Sequence, residues 1–139
     1  MVAADVKDSS KVGCAVTILV VDDDADMRYL ARVVIESAGI VVAGEAANGV
    51  EALMKLEELD PPPIPTVILL DNQMPGPSGL EVAAQILADR PDQLIVLFSA
   101  YLDDEIIAEA TRLGIASCVS KGDALDLATI IRDLVESRG

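Results

Sequence analysis

Histidine is absent from all 139 residues. That absence removes Ser-His-Asp and Cys-His catalysis, histidine-ligated zinc, and any phosphohistidine carried on this chain. Two cysteines, Cys14 and Cys118, are too few for a disulfide framework or a thiolate metal cluster. A reducing, cytoplasmic compartment is the expected home. Aromatic residues make up only 2% of a chain that is 52% hydrophobic, so the core is expected to be Val, Leu, Ile and Ala. That is the composition of a parallel sheet covered by helices. Cations are scarce too: ten Lys and Arg against 24 Asp and Glu give a formal charge of −14. Phosphate backbones and anionic membrane surfaces both demand basic side chains, so neither is expected as a direct partner. A metal cation or a partner with a basic face fits better. No apolar run approaches the length of a membrane span. Asp5, Lys7 and Asp8 precede any apolar run, so no signal peptide is expected. The length suits one domain with a real core.

What is present is organised around Val67-Ile-Leu-Leu-Asp71, an apolar run that ends in a carboxylate and then in Asn72-Gln-Met-Pro-Gly-Pro-Ser-Gly79. Such a run, bounded by turn formers, reads as a strand buried on both faces. In open α/β sheets, ligands gather outside the carboxyl ends of strands. In chain order, residues 1–14 read as a disordered N-terminal extension. Ala15 to Val21 is a buried strand ending in Asp22-Asp23-Asp24. From Ala25 the period becomes helical, with Met27, Leu30, Ala31, Val34 and Ile35 inward and Arg28, Arg32 and Glu36 outward. Asp24 is the expected N-cap, and Gly39 closes that helix. Ile40 to Ala46 reads as a strand with Val41 and Val42 at its heart. Asn48-Gly49 reads as a turn, Val50 to Leu59 as a helix, and Asp60 to Pro65 as a stiff proline spacer. After the central strand come a helix at Ser78–Ala88, a strand at Leu94–Phe98, a helix at Asp103–Leu113 closed by Gly114, a strand at Ile115–Val119, and a helix at Asp123–Glu136 with Leu125, Leu127, Ala128, Ile131, Leu134 and Val135 apolar. Five strands alternating with five helices through short connections predict a doubly wound parallel α/β sheet.

The strand ends form a pattern. The first delivers Asp22 and Asp23, the third Asp71, the fourth Ser99 and the fifth Lys121. Three carboxylates brought together require a counterion. Lys121 balances part of that charge, and a hard divalent cation with oxygen ligands, Mg²⁺, suits the rest. Asp71 then reads as a nucleophile toward a phosphoryl group, with Lys121 and the Ser99 hydroxyl on phosphoryl oxygens.

The arrangement resembles the receiver domain of two-component response regulators. The matching residues are Ile18-Leu-Val-Val-Asp-Asp23, Leu69-Leu-Asp71 with Met74-Pro75 and Gly79-Leu80, Phe98-Ser99-Ala100, and Val119-Ser-Lys121. The resemblance implies a receiver domain over residues 15–139, in the flavodoxin-like strand order 2-1-3-4-5. It implies that Asp71 accepts a phosphoryl group from a sensor histidine kinase or histidine phosphotransfer protein. Asp23, Asp71 and the backbone carbonyl of Gln73 would ligate Mg²⁺, with Asp22 acting largely through water. Ser99 would be the switch hydroxyl and Lys121 the essential cation. It further implies a readout face on the last two helices and the fifth strand, a downstream output domain or protein, and homodimerisation through the last helical face. The chain would catalyse only its own phosphorylation and dephosphorylation.

This sequence departs from the family pattern at two places. Cys118 stands three residues before the lysine, where an aromatic residue is usual, so the coupled hydroxyl–ring rotation is not expected, and Tyr101 is the candidate to fill part of that role. Gly122 stands where proline is common, as in a subset often joined to helix-turn-helix outputs. Gln73 and Tyr101 occupy the positions that tune dephosphorylation, and a bulky Tyr101 would hinder an attacking water. By themselves, Cys118 reads as a small buried apolar residue and Asp24 and Asp26 as capping and solvent-facing groups. A Ca²⁺ loop starting at Asp22 is excluded, because it lacks a glycine at its sixth position and Val33 occupies the place of the closing Glu. Asp22, Asp24 and Asp26 do not fit the signature of haloacid-dehalogenase-type phosphatases. The alternative function is a receiver-fold interaction module with weak or no phosphorylation-dependent switching.

Overall fold

The computed structural model describes residues 16–59 and 66–138. The expected N-terminal extension and proline spacer lie outside these residues. Five strands form one parallel sheet in the order β2-β1-β3-β4-β5. They are β1 (Thr17–Val21), β2 (Val41–Ala46), β3 (Val67–Leu70), β4 (Leu94–Ser99) and β5 (Ser117–Ser120). Between and after them run α1 (Ala25–Ser37), α2 (Gly49–Glu58), α3 (Gly79–Asp89), α4 (Asp104–Leu113), a 3₁₀ helix (Lys121–Asp126) and α5 (Leu127–Arg138).

Strand alternation divides the apolar residues between two cores. Ile18, Val20, Val67, Leu69, Val96, Phe98 and Val119 face the layer of α1 and α5, where Ala31, Ile35, Leu127 and Ile131 meet them. Leu19, Val21, Ile68, Leu70, Ile95 and Leu97 face α2, α3 and α4. Each fully buried Leu or Ile contributes about 1.5–3 kcal/mol. The strands are apolar on both faces because both faces are covered, which is why they read as continuous runs rather than alternating ones.

The helix starts carry the caps their sequences offer. The Asp24 side chain accepts from the Asp26 N–H, Asn48 from Glu51, and Asp103 from Ile106. Ser78 and Glu81 close a reciprocal capping box at α3. Asn48-Gly49 is therefore the start of α2 rather than a separate turn. Gly39, at φ 83°, follows the Ala38 cap of α1, and Gly114 caps α4 at φ 98°.

Other differences have local causes. The last helix does not run from Asp123. Ser120 caps a 3₁₀ turn, and Asp123 at φ −103°, ψ 26° breaks the helical run, so the α-helix begins at Leu127. That turn leaves the apolar Leu125 82% exposed. The fifth strand pairs from Ser117, although Ile115 still enters the core. Val41, expected at the heart of a strand, lies on the sheet edge and is more than half exposed, and Leu30 sits at the rim of its helix.

Candidate functional site

β1 and β3 are paired with Val21 opposite Leu70, so the next residues, Asp22 and Asp71, leave the sheet side by side. β4 ends in Ser99, opposite Ser120 of β5, and Lys121 follows directly. Alternation explains which groups meet. Asp22, Asp71 and Lys121 share the parity of Val20, Leu69 and Val119, on the α1/α5 side of the sheet. The Lys121 ammonium lies 2.8 Å from Asp22 Oδ2 and 3.4 Å from Asp71 Oδ2. Ser99 has the parity of Leu97, is fully buried, and accepts a hydrogen bond from the Tyr101 N–H at 3.4 Å.

Asp22 and Asp71 are each only 3% exposed, while Asp23 is exposed. Ligand atoms of Asp22, Asp23 and Asp71 all lie within 4.8 Å of one another. Burial, and next the charge of Asp22, push the Asp71 carboxyl above the usual carboxylate range. The Lys121 ammonium and the Gln73 N–H act the other way without cancelling the shift. Burial disfavours the Lys121 cation, but hydrogen bonding and attraction to Asp22 and Asp71 outweigh it, so its pKa is raised. Lys121 is therefore a held cation at neutral pH, facing two carboxylates whose charge exceeds its own.

The loop after β3 is rigidly made. Asp71 Oδ1 accepts from the Gln73 N–H at 3.2 Å. Asn72 receives the Gly79 N–H on its carbonyl at 2.9 Å and the Leu80 N–H on its side chain at 3.0 Å. Gly76, at φ 79°, makes the reversal between them. The Gln73 side chain is exposed. Cys118 is half-buried against the α4 side of the core, where burial pushes its thiol pKa up and disfavours the thiolate. Tyr101 points outward, with its hydroxyl donating to Asp103 Oδ2 at 3.1 Å, and does not fill the space an inward ring would take.

Sequence reasoning placed Arg28 on the outer face of α1 and gave Glu45 no role. Arg28 reaches the site, donating to the Asp22 carbonyl at 2.6 Å, and Glu45 bears on it through Arg28, with which it pairs at 3.2 Å. The signal available was two arginines four residues apart, directly after an acidic run in a chain poor in cations.

The donor set is three carboxylates, all hard oxygen ligands, two of them withdrawn from water with one ammonium between them. This chemistry fits a divalent cation such as Mg²⁺.

Comparison with known proteins agrees with this geometry. The family model described as the response regulator receiver domain matches residues 18–132. The chemotaxis protein CheY of Thermotoga maritima is 35% identical over 104 residues, covering 75% of this chain and 83% of that protein. The response regulator GacA of Pseudomonas protegens is 33% identical over 112 residues, covering 80% of this chain and 51% of that protein. Among solved structures, the response regulator domain of Thermotoga maritima CheB superposes with a TM-score of 0.77 at 28% identity, covering 88% of this chain and 97% of that one. The signal receiver domain of NarL from Mycobacterium tuberculosis gives 0.78 at 29% identity, with the same coverage of both chains. With strand order, strand-end residues and family model in agreement, this chain belongs to the response regulator receiver domains of two-component signalling.

Proposed function

We propose that the domain is a Mg²⁺-dependent switch phosphorylated on Asp71 by a sensor histidine kinase or a histidine phosphotransfer protein. The observation that carries this reading is the Asp71 carboxylate: buried, at the end of the central strand, beside two further carboxylates and within 3.4 Å of a lysine ammonium. An Asp71 oxygen attacks phosphorus, the P–O bond forms, the P–N bond to the donor imidazole breaks, and the imidazole leaves with its electron pair. Asp23, Asp71 and the Gln73 carbonyl are the proposed metal ligands, with Asp22 acting through water. When bound, Mg²⁺ would supply charge neutralisation at the phosphoryl oxygens. Lys121, already aimed at both buried carboxylates, is the cation for a phosphoryl oxygen, and the Ser99 hydroxyl is a donor to another. Water attack on the acyl phosphate then resets the domain, with Gln73 and Tyr101 flanking the approach. Phosphorylation biases a two-state equilibrium on the face of α4, β5 and α5. That face reports to an output domain or protein, or to a second copy of the chain, in the cytoplasm. The domain thus acts on its own carboxylate and turns over no external substrate.

Incubation with Mg²⁺ and acetyl phosphate, read by intact mass, tests the reading. The parent gains one phosphate and Asp71→Asn gains none; no gain in the parent, or equal gain in both, overturns it. Cys118 favours a second reading, an interaction module with weak switching, because it puts a thiol rather than a ring beside α4. Partner affinity that is unchanged by phosphorylation identifies that case.

A further inference from the structure

The turn after β1 carries two of the three clustered carboxylates, and its backbone is held largely from outside itself. The Asp22 N–H donates to the Ala46 carbonyl at 3.0 Å. The Asp22 carbonyl accepts from Arg28 Nη1 at 2.6 Å, a short charge-assisted bond. Within the turn, the Asp24 N–H donates to Asp22 Oδ1 at 2.9 Å, which fixes the rotation of that carboxylate. Arg28 is itself aimed: its Nε meets Glu45 Oε1 at 3.2 Å. Glu45 is held from its other oxygen by Arg32 Nη1, and the Arg32 Nε pairs with Glu36 Oε2 at 3.2 Å. Glu45 and Ala46 are neighbours on β2, so that strand grips Asp22 twice, once directly and once through Arg28.

Two features set this apart from a surface ion pair. The Arg28 side chain is 20% exposed, and it directs a donor at a main-chain carbonyl although exposed carboxylates stand close by in the chain. A guanidinium has the planar fork to hold a carboxylate and a carbonyl together, which an ammonium lacks.

We propose that Arg28, aimed by Glu45, is a positioning residue that fixes the backbone of the Asp22–Asp23 turn and thereby sets how tightly the carboxylate cluster takes a divalent cation. This rests on the reading of that cluster as a Mg²⁺ site. Arg28 touches neither metal nor phosphoryl group; it acts through Asp22. Groups that orient metal ligands from outside typically change metal affinity by 10–100-fold, and one acting through a backbone carbonyl belongs at the lower end. The sign is diagnostic. By charge alone, removing a cation beside three carboxylates would tighten divalent binding. Positioning requires that it weaken.

Mg²⁺ is titrated calorimetrically into the parent, Arg28→Gln, Glu45→Gln and the double variant, at low salt and at high salt, where remote charge effects are screened. Arg28→Gln weakens Mg²⁺ binding about tenfold at both salts. Glu45→Gln, which leaves Arg28 charged but unaimed, weakens it in the same direction. The double variant is no weaker than Arg28→Gln, because the two residues act as one unit. With acetyl phosphate, the half-saturating Mg²⁺ concentration rises by the same factor, while the rate at saturating Mg²⁺ stays that of the parent. In metal-free protein, the Asp23 and Asp24 amide resonances move in both single variants, and the Asp24 amide exchanges faster. Mg²⁺ binding unchanged or tightened in Arg28→Gln overturns the proposal, as do unmoved Asp23 and Asp24 amides. If Arg28→Gln does not fold, Glu45→Gln carries the same readouts. If the parent takes up no Mg²⁺, the proposed function fails, and the metal-free amides alone decide whether Arg28 positions the turn.

Discussion

The point where α3 meets the end of β3 leaves no room for a methyl group, and Gly79→Ala measures how much the site depends on that contact. A Cβ at residue 79 would stand 2.3 Å from the Asp71 carbonyl oxygen, 2.7 Å from Asn72 Cα and 2.9 Å from the Asp71 carbonyl carbon. All three are main-chain atoms, so no rotamer change relieves them. Reaching an ordinary contact of ~3.5 Å requires the helix start and the strand end to separate by about 1 Å. That separation strains the Gly79 N–H to Asn72 carbonyl bond and the Leu80 N–H to Asn72 side-chain bond, now 2.9 and 3.0 Å. Two weakened hydrogen bonds cost about 1–2 kcal/mol and the overpacking about 1–3. The intrinsic helical advantage of Ala returns less than about 1 kcal/mol at a helix start. The net loss is about 2–4 kcal/mol, a large part of a typical domain's stability. Because the displaced atoms belong to Asp71, phosphate uptake from acetyl phosphate falls as well, by up to about 100-fold for a 1 Å misplacement. Gly49→Ala is the control. Its Cβ meets Val82 Cγ2 at 2.5 Å and Pro77 Cγ at 3.2 Å, and because Val82 is fully buried and stiff this variant loses stability too, but the displaced atoms belong to no residue of the carboxylate cluster, so phosphorylation of the folded protein stays near the parent rate. Urea unfolding gives the stabilities and intact mass gives the uptake. The reasoning fails if Gly79→Ala matches the parent in both, or if Gly49→Ala slows phosphate uptake as much.

Two further perturbations separate the charges at the site. Asp71 carries a raised pKa from burial and from Asp22, so the folded state binds more protons than the unfolded state between the ordinary value of 3.8 and the raised one, and stability is lost as pH rises through that window. Asp71→Asn removes that loss. In EDTA its melting temperature gains on the parent as pH rises from about 3 to about 7, and a constant or reversed gap refutes the assignment. Lys121 contributes in the opposite range: its pKa is raised above 10.5, so its stabilisation is whole below that value and is lost as pH rises through the raised one. Lys121→Met leaves Asp22 and Asp71 buried without their counterion and costs about 3 kcal/mol in EDTA, by urea midpoint. Added Mg²⁺ recovers part of that loss by binding the folded state, while phosphate uptake stays abolished. Unchanged stability in EDTA rules out the ion-pair account.

What the sequence disclosed, and what it hid, divides along one physical line. The strands, the helix starts at Asp24, Ser78 and Asp103, and the strand-end residues could be read because each depends on a local pattern: an apolar run, a capping side chain, a carboxylate where the run stops. Period and propensity are properties of neighbours in the chain. The 3₁₀ turn at Lys121–Asp126 was hidden because Ser120 accepts from the Gly122 N–H and the backbone at Asp123 leaves the helical region, while the apolar spacing of Ala124, Leu127, Ala128 and Ile131 still mimics one continuous helix. Val41, expected in the middle of its strand, is instead the first residue of β2 and more than half exposed, because apolar content does not say where pairing begins. Arg28 was assigned to solvent by helical periodicity, which is right about the direction of its Cα–Cβ bond and silent about the length of an arginine. Its partners lie six and seventeen residues away, one of them a main-chain carbonyl that no side-chain pattern can announce. The same holds for Gly79, whose need for a bare Cα comes from the carbonyl of Asp71, eight residues earlier, and appears only when strand and helix are brought together. The groups proposed to touch the phosphoryl group and the metal were therefore legible, since chemistry restricts them to few residue types. The groups that hold those residues in place were not, because any side chain of adequate reach, or none at all, can meet a geometric demand.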